Sequence, residues 1–222
     1  SYVLWLSTAQ PTPVTLDWLG TDATTHIRYY DAVPSKVTLT FAAKQLVSME
    51  VEFVFLNWTN VGSAGAPADY AYAYPKIPAF IGANGARALF SGGSSICPAM
   101  VVVEITQTLD DADCASSNMG TGSLVSSDRK VTVAITRNPS DYSITPWTDA
   151  PGTAPAALQI DASNTPGRAL TLCMAAPQNA NTATPTGNGN LLGVTNTYEA
   201  LPYTGDTGST APADTPFRIA FL

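Results

Sequence analysis

The chain has 222 residues, of which 45% are apolar and only 12% charged, and its formal net charge is −7. A chain of this length buries roughly 70% of its unfolded surface, so its core needs no disulfide or metal staples. Four Lys and six Arg are scattered among 13 Asp and 4 Glu with no basic run, which excludes the phosphate grip of an ordinary nucleic-acid binder.

A charged share about half the usual one leaves the surface to Thr, Ser, Asn and Ala. That composition fits proteins packed against copies of themselves, and also secreted β-proteins. Cys97, Cys114 and Cys173 cannot all pair within one chain. The expectation is three reduced thiols, with a Cys97–Cys114 bridge left open. There is no Cys-x-x-Cys, and the single His26 has no nearby Cys, so no zinc site is expected. No apolar run reaches membrane-spanning length, and no basic segment followed by an apolar one opens the chain. Ser1 stands first, so either an initiator Met was removed or an N-terminal portion is missing.

In chain order, runs rich in Val, Ile, Thr, Tyr and Phe are bounded by Gly, Pro, Asn and Asp clusters, the pattern of short strands. They cover residues 2–7, 14–19, 25–30, 36–41, 47–57, 87–90, 100–108, 130–137, 157–161, 168–174, 191–201 and 217–222. His26, within "THIRYYD", reads as a strand residue rather than a general base. The stretch "SKVTLTFAAKQLVSMEVEFVFLN" alternates, turns over and alternates again, which predicts a long hairpin. Val37, Leu39 and Phe41 share one face of its first arm. In the second arm Met49, Val51, Phe53 and Phe55 share the face expected to meet a core, opposite Glu50, Glu52, Val54 and Leu56. That outer face is half acidic and half aliphatic, an unusual use of two of only 4 Glu.

Further along, Val101, Val103 and Ile105 line one face of "VVVEITQTL", and Val131, Val133 and Ile135 one face of "KVTVAITRN". Ser140 is an N-cap candidate for one short helix over 140–150, limited by Pro146. Pro166–Gly167 marks a turn between two strands. Residues 59–78, 110–128, 175–190 and 202–216 read as loops; the first carries alternating Tyr70, Tyr72 and Tyr74. Loops of such length usually have a job, and without reactive side chains a protein–protein job suits them. No internal repeat or linker divides the chain, so residues 1–222 are read as one domain.

No catalytic constellation survives inspection, and neither a cofactor nor enzymatic activity is expected. Asp110, Asp111 and Asp113 lack the Gly turn and terminal Glu of a calcium loop. Glu50 and Glu52 lie about 7 Å apart on one strand face, and with Glu104 they meet the carboxylate requirement of a glycosidase. No aromatic cleft accompanies them. There is no G-x-S-x-G, and "SGGSS" (91–95) lacks the Lys-Ser/Thr of a phosphate loop. The sequon "NWT" (57–59) matters only on a eukaryotic secretory route.

Three stretches together resemble a family. "IRYYDAVPSKVTLTFAAKQLVSMEVEFVF" resembles an aromatic-rich strand followed by a hairpin with a long outward arm. "MVVVEITQTLDD" and "SSDRKVTVAITRNPSDY" resemble the next strand pair and the entry to a helix. "PGRALTLCMAAPQ" and "NTYEALPYTGDTG" through "TPFRIAFL" resemble the closing strands. Strand order and loose patterns over most of the chain make it similar to the major tail tube proteins of long-tailed bacteriophages.

The resemblance implies an antiparallel β-sandwich or barrel with one short helix and a long hairpin that joins an inter-subunit β-barrel. It further implies hexameric rings stacked head to tail, contact with other tail proteins, and a virion component made in a bacterial host's cytoplasm. The family pattern often extends further N-terminal, so this chain is either shortened or begins partway through it. On this reading Glu50 and Glu52 face the lumen, where negative charge repels passing DNA, and Val54 and Leu56 face a neighbouring subunit. A capsid decoration protein or a surface carbohydrate-binding β-sandwich is the alternative; self-assembly into tubes separates the two.

Overall fold

A computed structural model describes residues 2–5, 10–20, 25–62, 78–82, 85–90, 95–96, 98–113, 121–137, 157–180, 184–188, 191–203 and 215–221. They form an antiparallel all-β structure of two sheets, with no α-helix among the described residues. Residues 140–150, expected to be helical, lie outside them, as do Tyr70, Tyr72 and Tyr74.

The smaller sheet has six strands: β1 (Tyr2–Trp5), β15 (Phe217–Phe221), β11 (Leu170–Met174), β10 (Leu158–Asp161), β6 (Arg87–Phe90) and β7 (Ser95–Ile96), in that spatial order. The Pro166–Gly167 turn joins β10 to β11 as expected. Arg168 N–H donates to the Thr165 carbonyl at 2.9 Å, and Gly167 supplies the positive φ of 73°.

The larger sheet has nine strands, and its spine runs β12 (Pro177–Asn179), β14 (Leu191–Ala200), β9 (Thr121–Arg137), β8 (Pro98–Asp113), β3 (His26–Ala42) and β2 (Val14–Leu19). β13 (Thr184–Asn188) also pairs with β14, while β4 (Ser48–Val54) and β5 (Asn57–Asn60) pair with β3.

Alternation explains the core. Leu39, Phe41, Val101, Val103, Val131, Val133, Ile135 and Tyr198 cover the inner face of the large sheet. Leu158, Ile160, Leu170, Leu172, Met174, Phe217 and Ile219 answer from the small one, all in one buried cluster. Each fully buried side chain of this kind contributes roughly 1.5–3 kcal/mol. Phe80 plugs the cluster from outside the sheets, its ring 5.8 Å from that of Phe41. Residues 78–80 reach it by hydrogen bonding to the β3–β4 turn, as in Phe80 N–H to Gln45 O at 2.9 Å.

Several expected boundaries change. β3 fuses the runs expected at 25–30 and 36–41 into one 17-residue strand. Asp31, at φ 54°, and a register shift between Pro34 and Lys36 let it change partners without breaking. The expected loops 110–128 and 175–190 are shorter than read. β8 and β9 pair out to Asp113 and Thr121, and β12 and β13 occupy much of the second stretch. Polar composition misled there, because backbone pairing carries these strands with few apolar residues, Leu124 being buried in the β8–β9 ribbon and the polar Asn179 in β12.

Candidate functional site: a charged sheet face ending in an open edge

Residues directly opposite across an antiparallel ladder project to the same side. The registers therefore assemble one row across five strands: Glu50 on β4, Thr38 on β3, Glu104 on β8, Thr132 on β9 and Glu199 on β14. Two residues along the strands, Glu52, Lys36, Thr106 and Lys130 form the next row on that face. All 4 Glu of the chain thus lie on the outer face of its largest sheet.

Two of these carboxylates are paired. Lys36 Nζ meets Glu104 Oε1 at 2.9 Å, and Lys130 Nζ meets Glu199 Oε2 at 2.6 Å. Hydrogen bonding and charge from Glu104, with Glu52 and Glu50 adding their fields, raise the Lys36 ammonium above its ordinary pKa. Glu50 and Glu52 are exposed and make no ion pair among the described residues. Carboxylates therefore outnumber ammonium groups two to one on this face. Glu50, Glu52 and Glu104 were singled out from sequence. Glu199 and Lys130 were not, although Tyr198 and Val131 beside them are core residues, so alternation alone places both outward.

The face runs out to an edge. Among the described strands β4 and β5 pair only with β3, leaving a free edge of about 40 Å from Ser48 to Asn60. Met49 is 67% exposed, Phe53 37%, Val54 40% and Phe55 42%. The expectation that Met49, Phe53 and Phe55 enter this chain's core is corrected here. Alternation gives them the core-facing side, but the small sheet does not cover β4. Val54, expected at a subunit contact, is open. Leu56 is half-buried just beyond β4, its N–H donating to Tyr30 O at 3.3 Å, which makes Val54 the more available of the two. An edge with exposed apolar groups on both sides is what proteins normally cover or block.

A second polar site lies on the outer face of the small sheet, in a depression of about 600 Å³ lined by Arg87, Gln159, Asp161, Asn164 and Thr171 among others. Asp161 Oδ2 accepts from Arg87 Nε at 2.7 Å. Its Oδ1 accepts from Thr171 Oγ1 at 2.8 Å and from Gln159 Nε2 at 2.9 Å. Burial pushes the carboxyl up, but these donors outweigh it and leave the pKa below the ordinary value. Gln159 Nε2 also reaches Oδ2 at 3.1 Å, so each oxygen has two contacts and the cluster reads as a joint among β6, β10 and β11.

His26 opens β3, a strand residue as expected, and is buried, with Nε2 2.9 Å from Asp17 Oδ1, which also accepts from Arg28 Nε at 2.7 Å. Cys173 is a free thiol, whose pKa burial raises; Cys97 and Cys114 lie outside the described residues. No metal-binding cluster occurs among the described residues, and none of their helices is long and apolar enough to cross a membrane. No protein-family model matches the chain, and no curated protein sequence matches it either.

Proposed function

We propose that this chain is the structural subunit of a self-assembling tube of the phage-tail kind, in which copies join edge to edge into rings and rings stack into a channel for genomic DNA. The observation that carries the reading is the placement of all 4 Glu on one face of the largest sheet, a face that ends at a free, apolar-flanked edge. A strand from a second copy laid against β4 would satisfy its unpaired backbone groups and cover Phe53 and Val54. Repeated around a ring, such pairing closes the sheet and abolishes its edges.

Closure gives the charged face its use. A wall richer in carboxylate than ammonium repels phosphate at short range, so a duplex slides along it instead of adhering. The scattered cations of the chain add no phosphate grip. Hexameric rings, contact with other tail proteins at the tube ends, and residence in a virion follow from the resemblance. The test is electron microscopy of purified full-length protein concentrated at neutral pH. Hollow tubes are expected; a monomer that stays dispersed at every concentration would overturn the reading.

A further inference from the structure

The N-terminal half of β3 carries an aromatic face that the charged face does not use and that borders the β5 end of the free edge. There β3 is flanked by β2 on one side and β5 on the other. Leu16, Tyr29 and Trp58 form one cross-strand row, and Trp18, Ile27 and Asn60 the next row on the same side. Trp18 is 52% exposed and Trp58 58%. Phe55 leans on this patch, its ring 4.6 Å from that of Tyr29. β8 pairs with β3 only as far as Thr106 opposite Lys36, so this three-stranded arm lies beyond the part of β3 that packs on the core, at one end of the strands.

We propose that this aromatic face is a stacking contact with a second copy of the chain displaced along the strand direction. The inference rests on the tube reading above. Aromatic side chains bury roughly 150–250 Å² each, so the exposed parts of Trp18, Trp58 and Phe55 offer roughly 300 Å². The exposed Val14 and the half-buried Leu16, Ile27 and Tyr29 extend the patch to roughly 450 Å², the size of the largest apolar patch a monomer leaves bare and often a functional one. A standard interface buries roughly 800 Å² per partner, a little over half of it non-polar, so the patch supplies the apolar part of one such contact. Side-by-side pairing engages the backbone groups along the β4–β5 edge, in the plane of the sheet, whereas Trp18, Tyr29 and Trp58 project from its face at the strand end, so the copy that covers them is assigned to the next layer. A contact of this head-to-tail kind repeats without closing and builds an open stack.

A carbohydrate platform fits less well. Sugar stacking uses an open aromatic ring face, whereas Tyr29 and Phe55 turn towards each other at 4.6 Å with planes tilted by 54°, and aliphatic Leu16, Ile27 and Val14 stand beside them.

The test compares wild-type full chain with a Trp18→Ser/Trp58→Ser pair and a Trp18→Phe/Trp58→Phe pair. Each is checked for folding by circular dichroism, then assembled and examined by electron microscopy and sedimentation. The serine pair is expected to form rings but no tubes, and the phenylalanine pair to restore tubes. Iodide quenching of wild-type tryptophan fluorescence should fall between separated rings and tubes, a step that leaves lateral pairing unchanged, which decides the matter even if the serine pair does not fold. Normal tubes from the folded serine pair would overturn the proposal, as would unchanged quenching between rings and tubes. Loss of rings together with tubes would make the contact lateral and also overturn it. Retention on insoluble polysaccharide that the serine pair loses would overturn it in favour of a sugar platform. Wild type that forms neither rings nor tubes would remove the tube reading itself, an outcome distinct from all of these.

Discussion

β8 and β4 flank the same strand and carry the same alternation, yet their apolar sides have opposite fates. Val101 and Val103 on β8 are fully buried, whereas Met49 and Phe53 on β4 stay in contact with solvent. Both sets point to the same side of the sheet by register. The small sheet lies over one and stops short of the other. Alternation decides which side a residue faces, and the partner sheet decides whether that side is dry.

The comparison is broken most forcefully in the core. Ile160→Ala and Leu172→Ala remove fully buried side chains and are expected to cost about 2–5 kcal/mol each in chemical denaturation. Phe53→Ala removes a side chain of similar size that is 37% exposed, with an expected cost of about 1 kcal/mol to the isolated subunit. A cost near that of the core variants would mean β4 is covered within the subunit.

Asp161→Asn tests the joint on the far side of the small sheet and should cost about 1 kcal/mol at neutral pH through weakened charge-assisted bonds. The folded pKa of Asp161 lies below 3.8, so its contribution is present above that value and is lost as pH falls through the folded pKa. The melting temperatures of wild type and variant should therefore converge once the pH has fallen below that folded pKa. A constant difference across that window would assign the effect to packing.

At the edge, Val54→Lys combined with Leu56→Lys should leave the subunit's stability within about 0.5 kcal/mol for the exposed Val54, with a further loss for the half-buried Leu56. Tube assembly should be abolished. Tubes of normal yield from this variant would show that no subunit covers the edge.

The smallest stability effects are expected on the charged face. Glu50→Gln with Glu52→Gln should change neither melting nor assembly measurably, because exposed carboxylates contribute little. Glu50→Arg with Glu52→Arg should also assemble, but cations repeated at every ring would hold DNA by counterion release. Slow DNA ejection, relieved by added salt, is the expected readout in particles. Wild-type kinetics would place these glutamates away from the channel.

Much of this was legible in the residues. The run 14–19 matches β2 end to end, and the inward set Val101, Val103, Val131, Val133 and Ile135 follows from alternation alone. The ribbon beyond Thr108 was not legible, because Asp110, Asp111 and Ser123 carry no apolar signal and pair only through their backbones. Nor was the aromatic arm. The residues around Trp58 carry no signal that it is exposed, and only the pairing of β5 with β3 sets it beside Tyr29 in the open.

By itself the sequence determined that the chain is all-β, which side of each strand is apolar, and that Glu50 and Glu52 point away from the core. Those properties depend on neighbours one or two residues apart, where the strand period acts. The tertiary structure alone decided that Glu50, Glu104 and Glu199 share one row, that β4 is an edge among the described strands, and that Met49, Phe53 and Trp58 stay exposed. Those outcomes turn on which distant strands pair and how far one sheet extends over the other, and no local period encodes either.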